Sequence, residues 1–198
     1  MKTDVYSITQ NGRDFSAITA AAKKSAEYNG LDEKSSLRLQ LLSEEVVCML
    51  PRLLKYGNGK FWIENNGKKY ELHTSVTIEE PTKYDREKIL AVSSSGKNAA
   101  AVGIIGKICT AIEYLLEESA RAAEENPYPF YSMGMDGYIN ENQWSLTAYR
   151  NSFEAEDVRA NYVEEWDELE KSIIANLADN VTVSIAGGEI YIVVEKTF

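Results

Sequence analysis

The sequence contains very few of the residues that build disulfides and zinc sites. It has two cysteines, Cys48 and Cys109, and one histidine, His73. Both cysteines lie in apolar segments with helical spacing, which predicts small core residues with reduced thiols rather than a disulfide. His73 lies in an alternating, strand-like segment, which predicts a structural or surface imidazole. One histidine and two isolated cysteines cannot build a zinc shell, so the sequence predicts no tightly bound zinc.

Basic residues and long apolar runs are also scarce. There are 21 lysines and arginines against 31 aspartates and glutamates, which gives a net charge of −10. This charge argues against nucleic acid or an anionic membrane as a partner. No apolar run is long enough to span a bilayer, and the first residues lack a signal-peptide pattern. These absences predict a cytoplasmic protein. The length of 198 residues predicts one ordinary domain over residues 1–198, and the hydrophobic content of 44% is normal for a globular protein.

Residues 93–108 combine a loop of small residues with the start of a long apolar helix. The helical apolar positions are Val102, Ile105, Ile108, Cys109, Ile112 and Leu116. Ser95 or Asn98 can cap the helix, and the free N–H groups of a helix start bind anions. Two interpretations stay open: a capped core helix that needs small residues for packing, or a phosphate-binding loop. The candidate phosphate loop consists of Ser95, Gly96, Lys97, Asn98 and Gly103.

The order of helical and strand patterns predicts an α+β fold. Helical patterns occupy residues 14–28, 32–51, 84–92, 98–121 and 166–178. Strand patterns occupy residues 5–9, 60–64, 70–78, 144–149, 181–185 and 190–194. Turns rich in asparagine and glycine join four of these strands into two hairpins. We therefore expect a two-layer sandwich, in which helices cover one face of a mixed, mostly antiparallel sheet.

Two further predicted helices also have an assigned buried face. In the second helix the apolar stripe places Glu45 at the edge of the buried face and Glu44 on nearly the opposite side. Pro51 should kink or end this helix, because proline removes a helical hydrogen bond. In the last helix the expected buried residues are Trp166, Leu169, Ile173 and Leu177.

Four segments follow one another as they do in a known superfamily. They are residues 41–49, 60–78, 95–106 and 179–198. The sequence resembles the histidine-kinase-like ATPase (GHKL) superfamily, and most of all its anti-sigma-factor serine kinases, where the corresponding segments are the N box, a hairpin, the last glycine box and a closing strand pair. The resemblance covers residues 5–121 and 170–198, with residues 122–165 as an insertion. It implies a single GHKL-like ATPase-fold domain.

The resemblance is weaker in the catalytic residues than in the layout. In that family the N-box glutamate polarises the attacking hydroxyl, and an asparagine four residues later holds Mg²⁺. Glu45 matches the glutamate, but Met49 occupies the asparagine position, and Cys48 occupies it if Glu44 is chosen instead. Neither sulfur side chain is a ligand that Mg²⁺ prefers. Residues 77–81 also lack the Asp-x-Gly-x-Gly box that would contact adenine.

Two functions from different classes follow from the resemblance. The first is a non-catalytic regulatory protein, whose implied partner is a sigma factor or a STAS-type antagonist and which is also a candidate homodimer. The second is an active ATP-binding serine kinase or ATPase, with Glu45 as the catalytic base and the loop at residues 95–98 holding phosphate. ATP is therefore a candidate cofactor, and the sequence predicts no tight metal site.

Overall fold

The structure, a computed structural model, describes residues 1–9, 16–53, 57–78, 103–123, 138–140, 143–154, 159 and 161–198. The strands are β1 (Tyr6–Ile8), β2 (Gly57–Asn66), β3 (Lys69–Ile78), β4 (Tyr138–Asn140), β5 (Gln143–Ser145), β6 (Asn180–Ala186) and β7 (Glu189–Thr197). The helices are α1 (Ser16–Tyr28), α2 (Glu33–Leu53), α3 (Gly103–Ala123), α4 (Leu146–Asn151), α5 (Val163–Lys171) and α6 (Ile173–Leu177).

The described strands form one sheet in the order β1-β2-β3-β7-β6-β5-β4. Every neighbouring pair among them is antiparallel. The α+β class is therefore confirmed, whereas the expectation of a mixed sheet is wrong for the described strands. The two-residue turns account for two of these pairs, β2–β3 and β6–β7, because such a turn can join only antiparallel strands. The pairs β1–β2, β3–β7 and β5–β6 join strands that are far apart in the chain.

The two predicted hairpins are confirmed, and they lie side by side in the sheet. Gly67 has φ +60° in the turn between β2 and β3, while Gly187 and Gly188 have φ +60° and +78° in the turn between β6 and β7. Glycine adopts this left-handed backbone without a steric penalty, so each turn sets the register of its hairpin. Strands β3 and β7 join the hairpins, with Leu72 opposite Val194.

The sheet has one buried face and one open face. Phe61, Leu72 and Val183 face a core that also contains Leu42 of α2 and Ile108 of α3. Alternate residues of the same strands point to the other side, because successive strand side chains face opposite ways. On that open face most side chains are polar or aromatic and half-buried, and the aliphatic Val193 lies directly opposite His73. The predicted helical layer on one face of the sheet therefore fits the burial pattern of the strands.

The predicted strand at residues 144–149 is wrong beyond its first two residues. Residues Gln143–Ser145 form β5, and Leu146–Asn151 form α4. Ser145 causes the change, because its side chain accepts a hydrogen bond from the backbone N–H of Ala148 at 3.0 Å and so caps the helix. The predicted insertion at 122–165 thus supplies strands to the common sheet as well as α4.

The predicted helix at residues 166–178 is interrupted at Ser172. This residue is extended, with φ −75° and ψ 126°, and its side chain accepts a hydrogen bond from Ala175 N–H at 3.2 Å. The helix therefore restarts with a different phase. Ile173, expected to be buried, is 47% exposed, while Ile174 is fully buried.

Two further expectations concern α2. The helix continues past Pro51 to Leu53 in the described part of the chain, so the proline does not end it at once. Cys48 is exposed rather than buried, because it lies on the solvent side of the helix between the buried Val46 and Met49. Cys109 is half-buried. The expected helix at 84–92 lies outside the described residues.

The long helices α2 and α3 contribute many of the core residues. Leu39 and Leu50 of α2 and Ile112 and Leu115 of α3 are fully buried. Within the described residues, no helix is long and apolar enough to cross a membrane.

Candidate functional site

The predicted catalytic residue, Glu45, lies half-buried on α2. Burial raises the pKa of its carboxyl group, and the neighbouring Glu44 carboxylate raises it further. One turn later, Met49 is fully buried in the core. The position at which the resemblance implies a metal ligand is therefore occupied by an apolar side chain that faces away from solvent.

The predicted phosphate loop falls mostly outside the described residues. Ser95, Gly96, Lys97 and Asn98 belong to the undescribed segment before α3, and Gly103 is the first described residue of that helix. Helices α2 and α3 contact one another. Glu45 and Gly103 therefore lie on neighbouring helices.

A second cluster, which the sequence did not predict, lies on the open face of the first hairpin. Trp62 and His73 are directly opposite each other on β2 and β3, and their rings stack with centroids 5.0 Å apart and planes at 1°. The ammonium nitrogen of Lys2 lies 4.6 Å from the centroid of the Trp62 ring, a cation–π distance. These contacts hold the imidazole in a fixed plane beside the next row of the sheet.

That next row contains three carboxylates side by side. Glu64 of β2 is opposite Glu71 of β3, and Glu71 is opposite Glu195 of β7. Like charges at directly opposite positions destabilise a sheet. Lys69 compensates, because its Nζ lies 2.8 Å from Glu71 Oε1 and 3.1 Å from Glu195 Oε2. Lys2 Nζ lies 3.1 Å from Glu64 Oε1.

The N-terminal segment brings Lys2 to this row. Thr3 N–H donates to the carbonyl of Ile63 at 2.9 Å, and Asn65 N–H donates to the carbonyl of Met1 at 2.8 Å. Lys2 forms an antiparallel bridge with Glu64 between these two bonds. The lysine is thus held by backbone hydrogen bonds, and its charge remains next to the carboxylate row.

The cations and donors around the row lower the pKa values of two glutamates. Lys2 and then the indole N–H of Trp62, which donates to Oε1 at 2.8 Å, keep the pKa of Glu64 below its usual value. Lys69 is the main cause of the lowered pKa of Glu71, and His73 contributes to it. Both carboxyl groups are therefore ionised at neutral pH and available as ligands.

His73 completes a set of three side chains that together could hold a metal ion. Its side chain is 17% exposed, and its Nε2 lies 3.3 Å from Glu71 Oε2. Among the described residues, Nε2 is buried and has no hydrogen-bond partner. One ligand atom each from Glu64, Glu71 and His73 lie within 4.8 Å of one another. One nitrogen and two carboxylate oxygens are a ligand set that proteins use for divalent transition metals.

The sequence carried a signal for this cluster. The turn at Gly67 fixes the register of the hairpin, so Trp62 must face His73 and Glu64 must face Glu71. The prediction of no zinc site rested on the scarcity of histidine and cysteine, but carboxylates are zinc ligands as well. The position of Lys2 could not have been found in this way, because it depends on contacts between residues far apart in the chain.

Comparison with known proteins identifies no family for this chain. No protein-family model, no curated protein and no solved structure matches it.

Proposed function

We propose that this protein is a regulatory binding domain with a histidine-kinase-like ATPase fold and without phosphoryl-transfer activity. The proposal starts from the order of its elements: a strand, two helices, a hairpin, a long helix and a closing hairpin in one antiparallel sheet. The order of elements does not by itself assign a function, because function depends on the residues of a site.

Met49 is the observation that carries this proposal. Phosphoryl transfer in the resembling family needs a Mg²⁺ ion that bridges the phosphates, and Mg²⁺ requires hard oxygen ligands. Met49 is fully buried, four residues after Glu45. Cys48, the residue four after Glu44, is exposed but offers sulfur. Helix α2 therefore supplies a carboxylate without the oxygen ligand that would hold the metal beside it.

A protein partner is favoured by the outer side of the same helix. Leu37 and Leu41 lie one turn apart and are 56% and 38% exposed. Single exposed leucines are common, but two at this spacing form a continuous apolar strip on a helix. By resemblance, the proposed partner is a sigma factor or a STAS-type antagonist, and a second copy of this chain is the other candidate.

The alternative function is an active ATP-binding serine kinase or ATPase. The observation that favours it is the raised pKa of Glu45, since a general base works best when its pKa approaches the working pH. In this alternative Glu45 activates the attacking hydroxyl, and the loop at Ser95 to Asn98 binds the phosphates of ATP.

One experiment separates the two functions. The full chain is mixed with ATP and Mg²⁺, and both the melting temperature and ADP release are measured. A regulatory domain without nucleotide shows neither a shift nor turnover, because only a ligand of the folded state raises the melting temperature. If ADP is released and Glu45→Gln abolishes the release while the thermal shift remains, the alternative is correct. Full activity of Glu45→Gln would remove the assigned role of Glu45.

The partner surface has its own test. Leu37→Asp combined with Leu41→Asp should leave the folded state intact, because both side chains are partly exposed, and should abolish binding to the partner or self-association. Glu33→Gln, at the start of the same helix, is the matched control. Size-exclusion chromatography with light scattering detects the second copy, and titration calorimetry with purified sigma factors and STAS-domain proteins detects the others. If the leucine variant binds as the wild type does, this strip is not the surface.

A further inference from the structure

We propose that Glu64, Glu71 and His73 form a binding site for a divalent transition-metal ion of the zinc type on the open face of the sheet. The site lies across the sheet from the core that contains α2, so it is independent of Glu45 and of whether ATP binds. The proposal departs from our expectation that the chain holds no metal, which rested on the scarcity of histidine and cysteine.

The spacing of two ligand atoms already suits a tetrahedral zinc ion. Zinc–nitrogen and zinc–oxygen bonds of about 2.0 to 2.2 Å place neighbouring ligand atoms about 3.4 Å apart in a tetrahedron. His73 Nε2 and Glu71 Oε2 are 3.3 Å apart. All three ligand atoms lie within 4.8 Å of one another, so the Glu64 oxygen must move closer to join the other two. Water would occupy the fourth position.

The surrounding contacts leave the metal-facing atoms available. Lys2 and Trp62 both bind Glu64 through Oε1, and Lys69 binds Glu71 through Oε1. In the described part of the chain these contacts leave the second oxygen of each carboxylate for a metal, and that of Glu71 lies 3.3 Å from His73 Nε2. Hydrogen bonds to the outer oxygen of a ligating carboxylate orient it, as neighbouring groups do in known metal sites.

His73 Nε2 is the second, separate indication of a ligand. A buried ring nitrogen normally has a hydrogen-bond partner, because leaving it without one costs free energy. Among the described residues Nε2 has no well-aligned hydrogen bond, and its polar contact is Glu71 Oε2 at 3.3 Å. The stacking on Trp62 keeps the ring plane fixed, so the nitrogen stays directed toward the carboxylates. A metal ion between Nε2 and the two oxygens would satisfy it.

The charge of the row also favours a cation. Glu64, Glu71 and Glu195 face the two ammonium groups of Lys2 and Lys69, which leaves one negative charge before His73 is counted. The imidazole ligand selects zinc-type ions over Mg²⁺ and Ca²⁺, which prefer sites made of oxygen alone. The competing arrangement is a protonated His73 that pairs with Glu71 in place of a metal.

Calorimetric titration of the full chain with zinc chloride at pH 7.5 tests the site. The wild type should bind one equivalent of Zn²⁺, and magnesium chloride should give no comparable heat. Removing one ligand with His73→Gln or Glu71→Gln should weaken binding at least about 10-fold. Glu195→Gln is the matched control, because it removes a carboxylate from the same row that is not a ligand, and its affinity should stay within about 3-fold of wild type.

Three outcomes would overturn the proposal. The first is that the wild type does not bind Zn²⁺, and the second is that His73→Gln binds Zn²⁺ as tightly as the wild type does. The third is that Glu195→Gln loses as much affinity as Glu71→Gln, which would indicate unspecific attraction to a negative surface. Circular dichroism of each variant establishes that it is folded. Glu64→Gln gives a second ligand test should His73→Gln fail to fold, because Glu64 is more exposed. The readout is metal affinity alone, so failure of the ATP experiment does not affect it.

Discussion

Trp62 and His73 face each other across the first hairpin with their rings nearly parallel, 5.0 Å apart. The tryptophan also donates its indole N–H to Glu64 and lies under the ammonium group of Lys2. One side chain thus connects the imidazole, a carboxylate and a lysine on the open face. The open face of β2 and β3 is consequently an organised polar cluster around one aromatic ring.

Substitution of Trp62 should show this organisation. Trp62→Leu loses both the ring stacking and the hydrogen bond to Glu64, and we expect a loss of about 1–2 kcal/mol in the free energy of unfolding. Trp62→Phe keeps an aromatic ring against His73 and should lose less. Urea denaturation measures both. Lys60→Ala, an exposed residue of the same strand face, is the control, and equal losses in the two tryptophan variants would contradict the role of stacking.

Stability should fall as the pH drops below about 5. The pKa values of Glu64 and Glu71 are lowered from 4.5 in the folded protein, chiefly by Lys2 and Lys69 respectively. Groups with a lowered folded pKa stabilise the fold above the unfolded pKa, and this contribution is lost as pH falls through the folded pKa. Lys69→Met should make the urea midpoint less dependent on pH between pH 6 and 3. An unchanged dependence would rule out Lys69 as a cause.

The contribution of Glu45 to stability should depend on pH in the opposite direction. Its pKa is raised by burial and by Glu44, so the folded state disfavours the carboxylate, and the fold loses stability as pH rises from the unfolded pKa through the folded one. Glu45→Gln should therefore stabilise the protein at pH 7, by no more than about 0.5 kcal/mol since solvent screens this partly exposed group. Glu44→Gln should give a smaller gain. Destabilisation by Glu45→Gln would show that the carboxylate has a favourable partner.

Substitutions at two adjacent residues of α2 can distinguish its buried side from its exposed side. Met49→Ala should cost about 2–5 kcal/mol in the free energy of unfolding, because it leaves a cavity in the core. Cys48→Ala, at the adjacent exposed position, should change the stability by less than about 0.5 kcal/mol. Chemical denaturation of both variants measures these changes in the free energy of unfolding. Comparable costs would mean that Met49 does not face the core and would weaken the argument against a metal ligand there.

The break at Ser172 makes a similar comparison in the last helical segment. Ile174→Ala should cost about 2–5 kcal/mol, whereas Ile173→Ala should be nearly neutral because this side chain is 47% exposed. Thermal or urea unfolding measures the difference. A larger loss of stability for Ile173→Ala than for Ile174→Ala would instead support the single continuous helix that the periodicity predicts.

Sequence reasoning predicted the hairpins because the deciding interactions are local. Gly67 and the pair Gly187-Gly188 stand between strand-like segments, and a turn that needs a left-handed backbone leaves few alternatives. Ser145 and Ser172 were missed for a related reason. Each caps a helix through its side chain, but serine is also common in strands and loops, so periodicity alone gave the wrong element.

By itself, the sequence determined the α+β class, the two hairpins and the position of Glu45 at the edge of a buried stripe. Only the tertiary structure decided that the sheet is antiparallel throughout its described strands, that Glu195 joins Glu64 and Glu71 in one row, and that Lys2 reaches them from the N-terminus. The physical reason is range: turns and helix faces depend on residues a few positions apart, whereas the carboxylate row depends on strand pairing between distant segments.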